Sequence, residues 1–378
     1  MKKSYLLTPG PTPVPPEVAL ETAKPILHHR TKEFSQIFVS ASEGLKYIFQ
    51  TTNDVFIITS SGSGAMESAV VNLLSPGDKA IVVQCGVFGN RWEKILTSYG
   101  ITVVNVKVEM GETINPQDVE KTLAANPDTK AVFTTHTETS TGVAPDIKII
   151  GEIIAKTPAV LVVDAVSGLG GQELRMDEWK LDVVVSGSQK GLMNAPGLAF
   201  ASVSAKAWKL VESSKLPKFY FDYKSMKTSL SKNTTPFTPA VTLVIGLGKA
   251  VEMIKSEGIE NLWKRHIKLA EGTRAAVKAL GLELFAKRPC NVVTSIKSPA
   301  GIDSEQLVNM LLKEYGVSIA EGQQNLKGKI FRIAHMGYMN EFDIIVGIAA
   351  IERGLMKLGY TNFKYGDGVG AAEKVLFE

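Results

Sequence analysis

Asp164 and Lys190 stand where a sheet would present them to a ligand. The apolar run Ala159-Val160-Leu161-Val162-Val163 leads directly into Asp164, which places a carboxylate at the carboxyl end of a central strand, the edge at which open α/β sheets bind ligands. Such an Asp can also simply cap the following turn. Further on, Asp182-Val183-Val184-Val185 ends in Ser186-Gly187-Ser188-Gln189-Lys190-Gly191. A lysine just past a buried strand, among small residues, is partly desolvated, and desolvation lowers its pKa toward the neutral nucleophile of Schiff-base chemistry. The ordinary alternative is a solvated surface lysine. Ser60-Ser61-Gly62-Ser63-Gly64-Ala65 supplies a third element, a small-residue turn whose backbone N–H groups and following helix can approach a phosphate. It matches neither a Walker loop nor a G-x-G-x-x-G fingerprint, which counts against nucleotide binding.

The elements that must position these residues follow from apolar periodicity. Short apolar runs predict strands at Val55–Thr59, Ala80–Val83, Thr102–Val106, Lys130–Thr135, Val160–Asp164, Asp182–Ser186 and Leu198–Val203. Most are continuous rather than alternating, so helices should cover both faces of a mainly parallel sheet. Helical patterns lie between them at Met66–Leu74, Asn90–Tyr99, Gln117–Ala125 and Ile147–Lys156, with Gly and Pro punctuation at their ends. Two longer ones follow at Val241–Ser256 and Ile259–Leu280. The order then becomes strand, helix, strand, strand, helix, closing on Glu341–Leu358. Leu216–Pro239 reads as an irregular connection. The expected organisation is an N-terminal arm (1–15), a large α/β domain (16–256) and a smaller C-terminal α+β domain (257–378).

The chain has 378 residues and is 44% hydrophobic, more than one core usually holds, since single cores stop growing at roughly 250–300 residues. Net charge is only +4 with both signs mixed, so no polyanion-binding footprint stands out and nucleic acid is not an expected partner. No apolar stretch approaches the roughly 18–20 residues of a membrane span, and the basic opening Met1-Lys2-Lys3 leads into an apolar run too short for a signal peptide. A cytoplasmic protein is expected. Cys85 and Cys290 offer neither metal-ligand spacing nor a disulfide framework.

A lysine, a phosphate cradle and a carboxylate on one sheet are what pyridoxal 5′-phosphate (PLP) requires. The order of motifs resembles the class V aminotransferases, the family of alanine-glyoxylate, serine-glyoxylate and serine-pyruvate aminotransferases. The resemblance covers almost the whole chain. It is carried by Leu7-Thr8-Pro9-Gly10-Pro11-Thr12, His28-His29-Arg30-Thr31-Lys32-Glu33-Phe34, Ser61–Gly64, Thr135-His136-Thr137-Glu138-Thr139-Ser140-Thr141-Gly142, Asp164-Ala165-Val166-Ser167, Ser186–Lys190 and Phe331-Arg332-Ile333.

The resemblance implies the aspartate-aminotransferase fold (PLP-dependent transferase fold type I) and assigns roles residue by residue. Lys190 would carry the cofactor covalently and then shuttle a proton, while Asp164 would pair with the pyridinium nitrogen. Ser63, Gly64, Ala65 and Gln189 would hold the phosphate, joined by Thr238 from a second subunit, so that the site lies at a homodimer interface. Phe88 and Val166 would pack on the two ring faces, and Thr139 would hydrogen-bond near the phenolic oxygen. Arg332 would bind the substrate α-carboxylate, with Gly10 beside it. The expected reaction moves an amino group from alanine or serine to glyoxylate or pyruvate by ping-pong kinetics. In two places the chain departs from the family pattern: Ala65 lacks a side-chain donor that some members have, and Thr235 replaces an aromatic. Three alternatives are an aspartate-type aminotransferase, a lyase or cysteine desulfurase on the same fold, which would need an exposed reactive thiolate, and a non-catalytic scaffold subunit.

Overall fold

The structure is a computed structural model and describes residues 3–378. Its strands are β1 (Tyr5–Leu6), β2 (Val55–Thr59), β3 (Lys79–Gln84), β4 (Thr102–Lys107), β5 (Thr129–Thr135), β6 (Val160–Asp164), β7 (Val183–Gly187), β8 (Leu198–Val203), β9 (Val293–Lys297), β10 (Val317–Ser318), β11 (Ala320–Glu321) and β12 (Ile330–Ala334). Seven of them form one sheet in the order β2-β8-β7-β6-β5-β3-β4. Only β8 runs against its neighbours. The other six therefore point their carboxyl ends at one common edge.

Alternation along each strand explains why both faces are covered. Ile81, Val83, Leu161 and Val163 enter one apolar cluster, whereas Ala80, Val82, Val160 and Val162 enter another on the opposite face. Side chains alternate across a strand with a period of two, so a continuous apolar run fills two cores at once. The fold is thus α/β, as expected.

The C-terminal part builds a third cluster around an antiparallel sheet of order β11-β12-β9. The helix Ile259–Ala279 bridges two cores, with Ile259, Leu262 and Trp263 in the first and Leu269, Ala276 and Val277 in the third. The N-terminal segment ties this region to the lysine loop. β1 pairs in parallel with β10, Leu7 accepts from the Ala334 amide at 2.9 Å, and the Thr12 hydroxyl donates to the Lys190 carbonyl at 3.0 Å.

Several stretches depart from the expected elements, among them the helices Pro16–Thr22, Lys32–Phe49 and Ala205–Ser213. Leu216–Pro239 contains the helix Tyr223–Leu230, capped by the Asp222 carboxylate and anchored by buried Tyr223 and Met226. A further helix, Asp367–Phe377, follows the last expected one, and its Leu376 packs beside Gly272 of the helix Ile259–Ala279. Among the described residues no helix is long and apolar enough to cross a membrane.

Candidate active site

The carboxyl edge of the large sheet opens into a cavity of about 250 Å³. Most contributions come from the end of a strand or the segment just past it. β2 leads into Ser61, Gly62 and Ser63, β3 into Phe88 and Arg91, β5 into Thr137, β6 ends at Asp164, and β7 leads into Gln189 and Lys190. Gly10 and Val166 complete the set of expected residues that line it.

Lys190 is 8% exposed, and its Nζ donates to the Pro9 carbonyl. Burial pulls its pKa down from 10.5 to about 8, against the attraction of Asp164 and with help from the charge on Arg332. The loop around it is pinned by backbone and hydroxyl bonds. The Ser188 hydroxyl donates to Ala195 O at 2.6 Å and accepts from the Leu198 amide at 3.2 Å, while the Thr12 amide donates to Gln189 O at 3.1 Å. Gly10, at φ +117°, lies so close that a side chain there would collide with the Lys190 stem.

Asp164 is 4% exposed and accepts from the Val166 amide at 2.8 Å. Burial raises its pKa from 3.8 to about 6, and the positive charges of Arg91 and Lys190 act in the opposite direction. A buried carboxylate facing a buried amine, each with its charge held at a cost by desolvation, is a pattern of functional sites.

Gly62 opens the helix Gly62–Leu73, whose start carries no side-chain cap. The Gly64 and Ala65 amides donate to the Ser61 carbonyl at 2.9 and 3.4 Å, which leaves those of Gly62 and Ser63 available to an anion. A Cβ on Gly62 would press into Val166, and one on Gly64 into Ser60. Gly64 and Ala65 lie within this first turn but do not line the cavity, and Ala65 is fully buried. Thr139 is also buried, behind the cavity wall. Its hydroxyl lies 3.4 Å from that of Ser167, and its carbonyl accepts from Arg332 Nη1 at 2.7 Å. Arg332 is 5% exposed and spends Nε and Nη2 on the Glu321 carbonyl at 3.0 and 2.7 Å. Burial pulls its pKa down to about 10, opposed by the charges of Glu138 and Glu321. Thr238 is exposed and away from the cavity, with its hydroxyl 3.5 Å from His29 Nε2.

Among the cavity-lining residues to which sequence reasoning assigned no role are Arg91, Thr137 and Ser167. Thr137 and Ser167 sit inside the quoted motifs, so their place on the sheet edge was readable. Behind the site lies Glu138, fully buried, whose carboxylate accepts from the amides of Phe88 (3.0 Å), Gly89 (2.9 Å) and Ser140 (3.1 Å). Both cysteines are buried and burial raises both thiol pKa values, so neither presents the exposed thiolate that a desulfurase needs.

The cavity fits a phosphorylated pyridine. Thr137 Oγ1 is buried with no partner among the described residues, the helix start is uncapped, and a carboxylate and an amine line the same space. The fold is that of the PLP-dependent transferases of fold type I, and the solved structure of ureidoglycine-glyoxylate aminotransferase from Bacillus subtilis superposes with a TM-score of 0.95, at 30% identity over 99% of this chain and 98% of that one. The family model described as aminotransferase class-V matches residues 4–341. The chain belongs to the class V aminotransferase family. Among its relatives, L-aspartate–glyoxylate aminotransferase of Paracoccus denitrificans is 39% identical over 98% of this chain and 95% of that protein. A Synechococcus protein named "Soluble hydrogenase, small subunit" is 44% identical over 99% of this chain and 98% of its own length.

Proposed function

We propose that the protein is a PLP-dependent transaminase that transfers an amino group from a small amino acid, alanine or serine, to glyoxylate or pyruvate. The observation that carries this reading is the desolvated Lys190 amine sharing one cavity with Asp164 and the uncapped start of the helix Gly62–Leu73. PLP supplies an electron sink that stabilises negative charge at the substrate Cα. Lys190 Nζ, with its pKa drawn toward working pH, would take the proton from that carbon and pass it to the cofactor carbon; such positioned transfer contributes about 10²–10⁴-fold. Asp164 would hold a positive charge on the ring nitrogen, while Ser63 and Gln189 would hold the phosphate from the cavity wall, with Gly64 and Ala65 fixing the turn behind it through their bonds to the Ser61 carbonyl. Phe88 and Val166 enclose the ring, Thr139 steadies the substrate edge through its bond with Arg332, and Arg332 captures the substrate carboxylate with Gly10 beside it. Two half-reactions at one site give ping-pong kinetics.

The same reading makes the enzyme a cytoplasmic homodimer in which Thr238 reaches the partner's cavity. Exposed Phe219 and Tyr220, packed against Phe237 beside Thr238, support a subunit contact there. The divisions are 1–15, 16–256 and 257–378; in their support, two apolar clusters draw mainly on 16–256 and a third mainly on 257–378, with Leu7 and Ala144 joining the third and Ile259, Leu262, Trp263 and Ala286 the first. The aspartate-type alternative has the Paracoccus relative in its favour.

Absorption spectra test the reading. Wild type should gain a visible band on adding PLP, lose it with alanine or serine and regain it with glyoxylate, whereas Lys190→Ala should turn nothing over. A second reading, a subunit of a larger redox assembly, draws on the name of the Synechococcus relative. A protein that stays colourless with PLP would favour it.

A further inference from the structure

Arg91 has no part in the reaction as described so far, yet it lines the cavity that holds Lys190 and Asp164. It stands one helical turn after Phe88, with its guanidinium 4.8 Å from the Phe88 ring centroid and Nη1 donating to Ser63 Oγ at 2.9 Å. Arg175, Arg265 and Arg288 are each paired with a carboxylate, whereas Arg91 makes no ion pair among the described residues. Its charge, felt by Asp164 but bound to no carboxylate, stands beside the uncapped start of a helix.

We infer that Arg91 binds the phosphate of the cofactor and supplies the side-chain donor that Ala65 cannot. This rests on the PLP reading above. A phosphate monoester carries about −1.5 to −2 charge at pH 7, and a guanidinium beside a helix start adds a full positive charge to the partial one of the N-terminus. In the bond with Arg91 the Ser63 hydroxyl is the acceptor, so its own hydrogen remains free. One anion can then meet the guanidinium, the Ser63 O–H and the amides of Gly62 and Ser63 together. The planar fork suits this task because it is pre-organised and can bind two oxygens. Stacking over Phe88 restricts the long side chain before the anion arrives. One face of Phe88 is thereby occupied by Arg91, while Phe88 itself lines the cavity.

The test compares PLP with pyridoxal, which lacks the phosphate, in equilibrium titrations of the apoprotein followed by tryptophan fluorescence. Wild type, Arg91→Gln and Arg91→Lys are measured side by side, with inorganic phosphate as a competitor. Charged hydrogen bonds of this kind correspond to an affinity change of about 10- to 100-fold. Arg91→Gln should therefore weaken PLP by that factor and weaken phosphate competition, leave pyridoxal within about twofold, and be partly rescued by Arg91→Lys. A variant that keeps the wild-type preference for PLP over pyridoxal overturns the assignment. Equal weakening of both ligands also overturns it, because Arg91 would then act only through Phe88. Wild type that binds neither ligand would instead sink the cofactor reading itself, before any variant is compared.

Discussion

Gly10 and Lys190 claim adjoining space: a Cβ built on Gly10 would run into Cε, Cδ and Nζ of the lysine. The backbone there has φ +117°, a conformation that side chains disfavour, at a cost of about 1–3 kcal/mol. Pro9, next in the chain, receives the Lys190 N–H. The N-terminal segment is therefore one wall of the lysine's socket.

Gly10→Ala should accordingly displace the amine rather than unfold the chain. Misplacement of a reacting group by about 1 Å can lower rate by roughly 10²-fold. The expected outcome is a loss of that order in kcat, with cooperative thermal unfolding retained and Tm lower by a few degrees. A variant with kcat within threefold of wild type would show that Lys190 does not depend on this wall.

Lys190 links protonation to stability in the apoprotein. Its pKa is about 8 in the fold against an ordinary 10.5, so between those values the unfolded chain binds the proton and the folded one does not. Stability then rises with pH across that window, by about 3 kcal/mol in total. Below pH 8 both states are protonated and the burial cost of the charge is fully present. Urea unfolding of apoprotein at pH 8 and pH 10 should show this rise in wild type and not in Lys190→Met. Equal slopes in the two proteins would mean that the amine is better solvated than its burial indicates.

Asp164 gives the opposite sign. Its folded pKa of about 6 lies above the ordinary 3.8, so the folded apoprotein holds the proton longer and loses up to about 3 kcal/mol of stability as pH rises through that interval. Asp164→Asn should flatten the dependence, and at pH 7 the variant apoprotein should be at least as stable as wild type. Its turnover should nevertheless fall by about 10²-fold or more, because the charge it places against the ring nitrogen is lost. Stability and turnover both falling at pH 7 would assign Asp164 a structural role.

The strands were legible because their composition decides them. Val55–Thr59, Val160–Asp164 and Leu198–Val203 have the bounds that their apolar runs predict. Helix starts were less legible. The helices Gly62–Leu73 and Val87–Ser98 begin earlier than Met66 and Asn90, since Gly and Ser have low helix propensity and their first turns are fixed by packing, as Gly62 is against Val166. The helix Lys32–Phe49 lies outside the predicted elements although its signals are ordinary ones, a Thr31 cap and Phe34, Phe38, Ala41, Leu45 and Ile48 at helical spacing. Arg91 was not legible in any local pattern. Its place beside Ser63 depends on how the helix after β3 crosses the start of the helix after β2, and nothing in either segment alone encodes that crossing.

Glu138 offers a test of how the two halves of the site are joined. Its carboxylate holds the amides of Phe88 and Gly89 at the start of one helix, and the amide and hydroxyl of Ser140 on its own turn. The intervening residue, Thr139, gives its carbonyl to Arg332. Ring-facing and carboxylate-binding groups are therefore held through a single buried side chain. Burial raises its pKa while those four donors oppose the rise, and an unpaired buried donor costs about 1–3 kcal/mol. Glu138→Gln keeps one acceptor oxygen and the volume, and it should lower kcat/KM for both amino acid and 2-oxo acid by about tenfold with the fold intact. Glu138→Ala, which strands all four donors, should cost more in stability than in any single substrate's KM. If Glu138→Gln instead altered stability alone and left both KM values unchanged, Arg332 would be held by Glu321 without help from this turn.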